Sequence, residues 1–195
     1  MTKTTIAPAT LDDLYRVEAR AELIAGRIVH LGASGFRPAR VAFQVVIELD
    51  AHAKACGQGV AFTGGLAYAL NPPLRNGRQS FSPHASYYVG PPPLNRMSFV
   101  EGTPTLAVEV RNIDDYGPDA EIDRQAKRAD YFEAGTLVVW DVDCMARAVV
   151  SYHADPSTPV AIFRPGDIAT AEPAVPGWQV AVADLFEVRR YPNRK

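Results

Sequence analysis

Two apolar segments separated by a helix constrain the fold of this chain most. "TLVVWDVD" is apolar from Leu137 to Trp140, and "PTLAVEVRNI" (residues 104–113) is apolar at most positions. Continuous apolar runs are typical of strands that are buried on both faces of a sheet. The segment between them, residues 121–135, has helical periodicity and ends at a glycine. This order predicts a central sheet that is covered by helices.

The helix predicted for residues 121–135 contains apolar residues at helical spacing. They form the expected buried stripe: Ile122, Ala126, Ala129 and Phe132. On this interpretation, Lys127 lies with Arg124 and Arg128 on a solvated face.

The remaining segments complete a mixed sheet. We predict a short helix capped by Thr10, a hairpin that turns at Ala25-Gly26, and a helix from about 37 to 55 that ends at Gly57. "VAFTGGLAYAL" and "SFSPHASYYVG" are predicted strands, and the C-terminal part is predicted to be antiparallel strands. The fold class is therefore α/β (α+β), a mixed central β-sheet flanked by helices. We expect a single domain, residues 1–195, with a core from about 11 to 186.

Composition limits the classes of function. The chain has 195 residues, of which 47% are hydrophobic and 22% charged, and a net charge of −2. This balance does not indicate tight nonspecific binding to nucleic acid, although a local basic patch is compatible with it. Cys56 and Cys144 form no CxxC pair, which favours a reducing cytoplasm. We expect no secretory signal and no membrane span.

Three polar residues interrupt predicted strands: Glu22 in "AELIAG", His84 in "SPHAS" and Glu109 in "LAVEVRN". Because strand side chains alternate, Glu109 shares a face with Arg111. A carboxylate in an apolar strand is costly unless it has a partner, and either Arg111 or a metal ion would serve.

Each residue also has a purely structural explanation. Glu109 with Arg111 fits a salt bridge, His84 fits a half-buried hydrogen-bonded side chain, and Glu22 fits a surface charge on an edge strand. Asp141 and Asp143 lie at the end of a predicted strand, where solvent or a helix cap can satisfy them. The common motifs for phosphate loops, dinucleotide binding, serine hydrolases and zincins do not occur.

The ordered combination resembles the Uma family, described as putative restriction endonucleases, in the PD-(D/E)XK nuclease superfamily. The matching stretches are "AELIAGRIV", Pro83-His84, "PTLAVEV", the series Lys127, Tyr131 and Gly135, and Trp140-Asp141. The resemblance covers roughly residues 11–186. It implies a mixed sheet with flanking helices, DNA as substrate, a divalent metal ion and a homodimer.

The resemblance also implies roles for individual residues. His84, Glu109 and the carbonyl of Val110 match the metal ligands of the family. Lys127 matches the helical lysine, which would orient the nucleophile or neutralise the charge that develops in the reaction. Glu22 matches an acid near the site, and Arg111 stands where many superfamily members have a lysine.

His84 departs from the family pattern, because the resemblance implies aspartate at this position. Mg²⁺, the ion that the family implies, prefers oxygen ligands, whereas imidazole suits Mn²⁺ and other transition metals. Two interpretations are open: an endonuclease with an altered metal preference, or an inactive nuclease fold that binds or assembles. A small-molecule enzyme with a deep apolar pocket is a third. Candidate contacts to phosphate are Arg37, Arg40, Arg75 and Arg78.

Overall fold

The structure, a computed structural model, describes residues 7–187. Its helices are α1 (Leu11–Tyr15), α2 (Phe36–Cys56), α3 (Pro118–Glu133) and α4 (Val182–Phe186). Its strands are β1 (Ala21–Ile24), β2 (Arg27–His30), β3 (Val60–Thr63), β4 (Tyr68–Ala69), β5 (Ser80–Phe81), β6 (Ala85–Tyr88), β7 (Val100–Glu101), β8 (Leu106–Val110), β9 (Val138–Asp143), β10 (Ala148–His153), β11 (Ala161–Phe163), β12 (Ile168–Thr170) and β13 (Gln179–Ala181). No helix in residues 7–187 is long and apolar enough to cross a membrane.

A six-stranded mixed sheet forms the centre, in the order β11-β10-β9-β8-β6-β3. Its strands pair antiparallel except β8 and β9, which are parallel. Parallel neighbours need a crossover connection, and α3 supplies it between β8 and β9. The predicted mixed sheet with flanking helices is confirmed.

The two faces of the sheet have different coverings. Helix α2 packs Val45 and Leu49 on one face, where Trp140 stacks on Trp178 with ring centroids 5.0 Å apart. The other face carries α3 and the small sheet β5-β4-β7, and Tyr131 of α3 stacks on Phe81 at 4.1 Å. Because side chains alternate along β8, Glu109 points away from α2, on the side of the sheet where α3 lies.

The β1-β2 hairpin turns as predicted, with both turn residues at positive φ: Ala25 at 49° and Gly26 at 69°. Positive φ at both positions is what a tight two-residue hairpin requires. The main chain of Leu23 then bonds to the segment before β5, since Gln79 N donates to Leu23 O at 2.8 Å. This pairing places Glu22 beside β5 of the small three-stranded sheet.

The segment "SFSPHASYYVG" is not one strand, as predicted, but two. Residues 82–84 connect β5, in the small three-stranded sheet, to β6 in the central sheet. His84 nevertheless remains beside β8, because its backbone N–H donates to Val108 O at 3.0 Å. The break places the imidazole at the end of the sheet rather than within a ladder.

The buried stripe predicted for α3 is wrong at three of its four positions. Ile122, Ala126 and Ala129 are exposed, and Phe132 is partly buried against the core. Asp130 and Tyr131 are buried instead. The helix turns a charged side toward the sheet, and Lys127, predicted to be solvated, lies on that side. Apolar spacing gave the wrong face because these charged side chains have partners of opposite charge inside the fold.

The packing of α2 leads to a test of the core. Leu49 is fully buried against the sheet, and Ile47 on the same helix is 40% exposed. We expect Leu49→Ala to lower the free energy of unfolding by about 3 kcal/mol through lost burial and a cavity. The matched change Ile47→Ala should cost less than about 1 kcal/mol. Urea denaturation of both variants measures this, and equal costs would contradict the assigned face of α2.

Candidate functional site

A cleft of about 710 Å³ opens between the hairpin, the end of β8 and helix α3. Its acidic and basic lining residues are Arg20, Glu22, Arg78, His84, Glu109, Arg111, Asp114, Asp115, Asp123, Arg124, Lys127, Arg128, Asp130 and Asp141. All six predicted site residues line this cleft, and four of them, Glu22, His84, Glu109 and Lys127, contact one another in series.

Glu109 is at the centre of the cleft. One carboxylate oxygen, Oε1, accepts from Tyr131 OH at 2.8 Å and lies 2.9 Å from Lys127 Nζ. The other, Oε2, lies 2.9 Å from His84 Nδ1. Both oxygens therefore have close partners, as a carboxylate in an apolar strand requires.

Lys127 joins the two acids of the cleft. Its Nζ is 2.8 Å from Glu22 Oε1 and 2.9 Å from Glu109 Oε1, and its side chain is 19% exposed. An ammonium group has three donors and no acceptor, so contacts to two carboxylates use it well. The salt bridge therefore connects the hairpin, the central sheet and α3.

Glu22 has a second cationic partner. Arg78 donates from Nη1 to Glu22 Oε2 at 2.6 Å and from Nε to Asp130 Oδ2 at 2.6 Å. Ser82 N donates to Glu22 Oε1 at 2.9 Å. Glu22 is thus buried with both oxygens bonded, and the expectation of a surface charge on an edge strand is wrong.

The contacts of His84 indicate its tautomer. A carboxylate accepts only, so the 2.9 Å contact with Glu109 requires a proton on Nδ1. Val110 N also approaches Nδ1, at 3.3 Å, and would require the opposite state. The shorter, charge-assisted contact is the stronger, so Nδ1 carries the proton.

Arg111 lies apart from Glu109, with Asp141 as its partner. Its guanidinium makes two parallel hydrogen bonds to Asp141, Nε to Oδ1 at 2.8 Å and Nη2 to Oδ2 at 2.7 Å. Asp141 is the register partner of Glu109 on the parallel strand β9. The Glu109–Arg111 salt bridge considered for the inactive interpretation is therefore replaced by Arg111–Asp141, and solvent does not satisfy Asp141.

Electrostatics keep the central groups ionised. Burial raises the pKa of Glu109, but the ammonium of Lys127 and the hydrogen bond from His84 outweigh it and hold that pKa well below its usual range. Burial lowers the pKa of Lys127, and Glu109 and Glu22 together raise it above its usual value. The acid and the lysine are therefore charged throughout the neutral range.

The side chains of His84 and Glu109 are the candidate metal ligands of the cleft. Residues 7–187 contain no cluster of three or more His, Cys, Asp or Glu side chains suited to a metal ion. His84 Nδ1 and Glu109 Oε2 lie 2.9 Å apart and are the two neighbouring atoms that could bind a metal ion. One imidazole and one carboxylate suit Mn²⁺ or another transition metal better than Mg²⁺. An ion that takes both donors would bind the lone pair of Nδ1, so the ring proton would move to Nε2.

The predicted phosphate contacts differ in their accessibility. Arg78 is buried in its two salt bridges, so its prediction as a phosphate contact is wrong. Arg75 and Arg37 are exposed, and Arg40 is half-buried beside Gln44.

Sequence reasoning missed several residues that the cleft brings together. Tyr131 bonds to Glu109, Arg20 bonds to Ser82 beside His84, and Arg124 and Arg128 approach Asp141. Asp141 could have been predicted from the sequence, because, like Glu109, it is an acid within an apolar strand.

Comparison with known proteins agrees with this architecture. The chain matches the model of the Uma2 family, described as "Putative restriction endonuclease", over residues 8–183. The chain belongs to this family. A solved structure from Anabaena variabilis, described as a putative nuclease belonging to DUF820, is similar with a TM-score of 0.69 and 17% identity. The match covers 92% of this chain and 98% of that one, and it shows the fold. No curated protein matches.

The Uma2 architecture and the lowered pKa of Glu109 predict a pH-dependent stability. The pKa of Glu109 is lower in the folded protein than in the unfolded chain, where a glutamate has a pKa of about 4.3. Ionised Glu109 therefore stabilises the fold fully above about pH 4.3. This stabilisation is lost as the pH falls toward the pKa of the folded state. We expect the Tm of the wild type to fall more steeply than that of Glu109→Gln below about pH 4.5. Thermal unfolding followed by circular dichroism measures this.

The matched control for that experiment is Glu133→Gln, which removes a more exposed acid on α3 that pairs with Arg75. Its Tm curve should run parallel to that of the wild type. Parallel curves for Glu109→Gln as well would contradict the assigned electrostatics of the cleft.

Proposed function

We propose that this member of the Uma2 family is a metal-dependent DNA endonuclease whose reaction centre is the Glu109 cleft. The observation that carries the proposal is the convergence of Lys127, Glu109 and His84 at contacts of 2.9 Å on one wall of the cleft. Membership of a family described as restriction endonucleases supports phosphodiester hydrolysis as the reaction class.

His84, Glu109 and the carbonyl of Val110 would hold the ion, with His84 at the position where the family resemblance implies aspartate. When bound, a divalent ion lowers the pKa of a water ligand and stabilises charge on the phosphate. We infer Mn²⁺ or another transition metal, because imidazole is a poor ligand for Mg²⁺.

Lys127 acts as a fixed positive charge. Because its pKa is raised, it does not release a proton near neutral pH and is not a general base. Its role is to neutralise charge that develops on the attacked phosphate. Glu22 and Tyr131 are positioning residues, since Glu22 holds the ammonium and Tyr131 holds Oε1 of Glu109.

A specific observation favours a second candidate, an inactive nuclease fold that binds or assembles. Both oxygens of Glu109 are already engaged by Lys127, Tyr131 and His84. The homodimer implied by the resemblance stays a prediction; the edges of the central sheet, β3 and β11, are open to such pairing.

Cleavage of supercoiled plasmid DNA tests the proposed activity. We expect nicking by the wild type in Mn²⁺, and a loss of at least about 100-fold in Glu109→Gln and in Lys127→Met, since each removes a charge that acts on the transition state. Glu133→Gln is the control and should retain the wild-type rate. Equal rates in Glu109→Gln and wild type would assign any nicking to a contaminant.

Metal preference provides an independent test at His84. We expect His84→Asp to strengthen Mg²⁺ binding relative to Mn²⁺, because aspartate replaces a nitrogen ligand with a hard oxygen. Isothermal titration calorimetry with each ion measures the ratio. Binding that is unchanged in Glu109→Ala would place the ion elsewhere.

A further inference from the structure

Three guanidinium groups surround Asp141, one strand away from Glu109. Arg111, directly after β8, holds Asp141 with two hydrogen bonds of 2.8 and 2.7 Å. Arg124 Nε and Arg128 Nη1, one turn apart on α3, lie 3.4 and 3.6 Å from Asp141 Oδ2. Asp141 is almost completely buried, so it forms the floor of this arginine cluster (Arg111, Arg124 and Arg128).

The same three arginines meet at one more carboxylate, that of Glu121. Arg124 Nη2 is 2.5 Å from Glu121 Oε2, Arg128 Nη2 is 3.2 Å from Oε1, and Arg111 Nη2 is 3.6 Å from Oε2. Glu121 belongs to the first turn of α3, and its side chain is 45% exposed, against 2% for Asp141. The cluster is thus closed below by a buried acid and above by a partly exposed one.

The cluster has more donors than these acids use. Arg124 Nε and Arg128 Nη1 are buried and form no hydrogen bond among the described residues, although each lies within 3.6 Å of Asp141 Oδ2. A buried donor without an acceptor costs free energy, more so when it is charged. A ligand with several acceptor oxygens would satisfy donors that a single planar carboxylate leaves unpaired.

The geometry of the cluster favours a phosphate group. Asp141, Asp143 and Glu121 balance the three guanidinium charges, so displacement of Glu121 would leave one net positive charge that attracts an anion. Guanidinium forks match the oxygens of phosphate. The ring of Tyr152 lies under Arg128, with its centroid 4.0 Å from Cζ, and fixes the plane of that fork. Fixed side chains lose little further freedom when a ligand binds.

We propose that the arginine cluster binds a phosphate group of a nucleic-acid strand, and that Glu121 occupies the place of its oxygens until the strand displaces it. This inference rests on the proposed nuclease function for the identity of the ligand. Glu109 and Asp141 are register partners on neighbouring strands, about 4.8 Å apart. The phosphate bound here is therefore close to the one attacked beside Glu109 and fixes the register of the strand.

Glu121 is the part of the cluster that can move. Asp141 is buried between strands of the sheet, and its removal would leave three arginines without a buried counter-charge. Glu121 is at the surface, where its ion pairs are screened and weak. Its replacement by glutamine should open the ligand position and leave the floor of the cluster intact.

Calorimetric titration with inorganic phosphate, in the presence of EDTA, tests the site without any metal-dependent reaction. We expect Glu121→Gln to bind phosphate roughly threefold to tenfold more tightly than the wild type, the size of one partly exposed charge interaction. Glu133→Gln, the same change on the same helix outside the cluster, should bind as the wild type does. The double variant Glu121→Gln/Arg128→Gln should lose the gain, with its Tm confirming that it is folded.

A second titration with a short deoxythymidine oligonucleotide, under the same conditions and in a Glu109→Gln background, identifies the source of the phosphate. A gain in affinity for the oligonucleotide in Glu121→Gln is the expected result. A gain for inorganic phosphate alone would overturn the assignment to nucleic acid, and equal affinities in wild type, Glu121→Gln and Glu133→Gln would overturn the site itself. Absence of plasmid cleavage by the wild type in Mn²⁺, with the gain in Glu121→Gln retained, would refute the proposed activity and leave this site standing.

Discussion

The ammonium group of Lys127 is the interaction on which the cleft depends. It lies 2.8 Å from Glu22 and 2.9 Å from Glu109, and so joins a hairpin, a buried strand and a helix that are far apart in sequence. Two carboxylates this close to one another would repel without a cation between them. Lys127 lies between the two acids, and Arg78 supplies the second positive charge beside Glu22, so the hairpin can bring Glu22 close to Glu109.

Helix α3 contacts its neighbours in two ways, by apolar packing and by ion pairs. Tyr131 stacks on Phe81 and anchors the end of the helix by apolar packing. Arg124, Lys127 and Arg128, in the middle of the helix, are held by charge to Asp141, Glu22 and Glu109. Charged contacts in a partly solvated cleft can be exchanged for ligand contacts, whereas the apolar contact cannot. The middle of α3 is thus the part of the helix suited to binding.

The sequence predicted the sheet and the position of Glu109 for one physical reason, which is that burial of apolar strands leaves a clear pattern. Val108 and Val110 made the acid between them conspicuous. The same reasoning failed on α3, because apolar spacing pointed to Ile122 and Ala126 while the buried side is charged. Ion pairs depend on partners from other parts of the chain, such as Asp141, and leave no periodic pattern. The resemblance, not periodicity, identified Lys127.

The arrangement of charges explains how a protein with a net charge of −2 can offer a place for a polyanion. The positive groups of the cleft are held in place by buried acids, Glu22 and Asp141, which a ligand cannot reach. Glu121 is accessible instead, and it occupies a position among the arginines that is suited to an anion. Displacement of Glu121 by a phosphate would exchange an internal negative charge for one of the ligand. The buried ion pairs of Glu22 and Asp141, which hold the cleft together, would then remain in place.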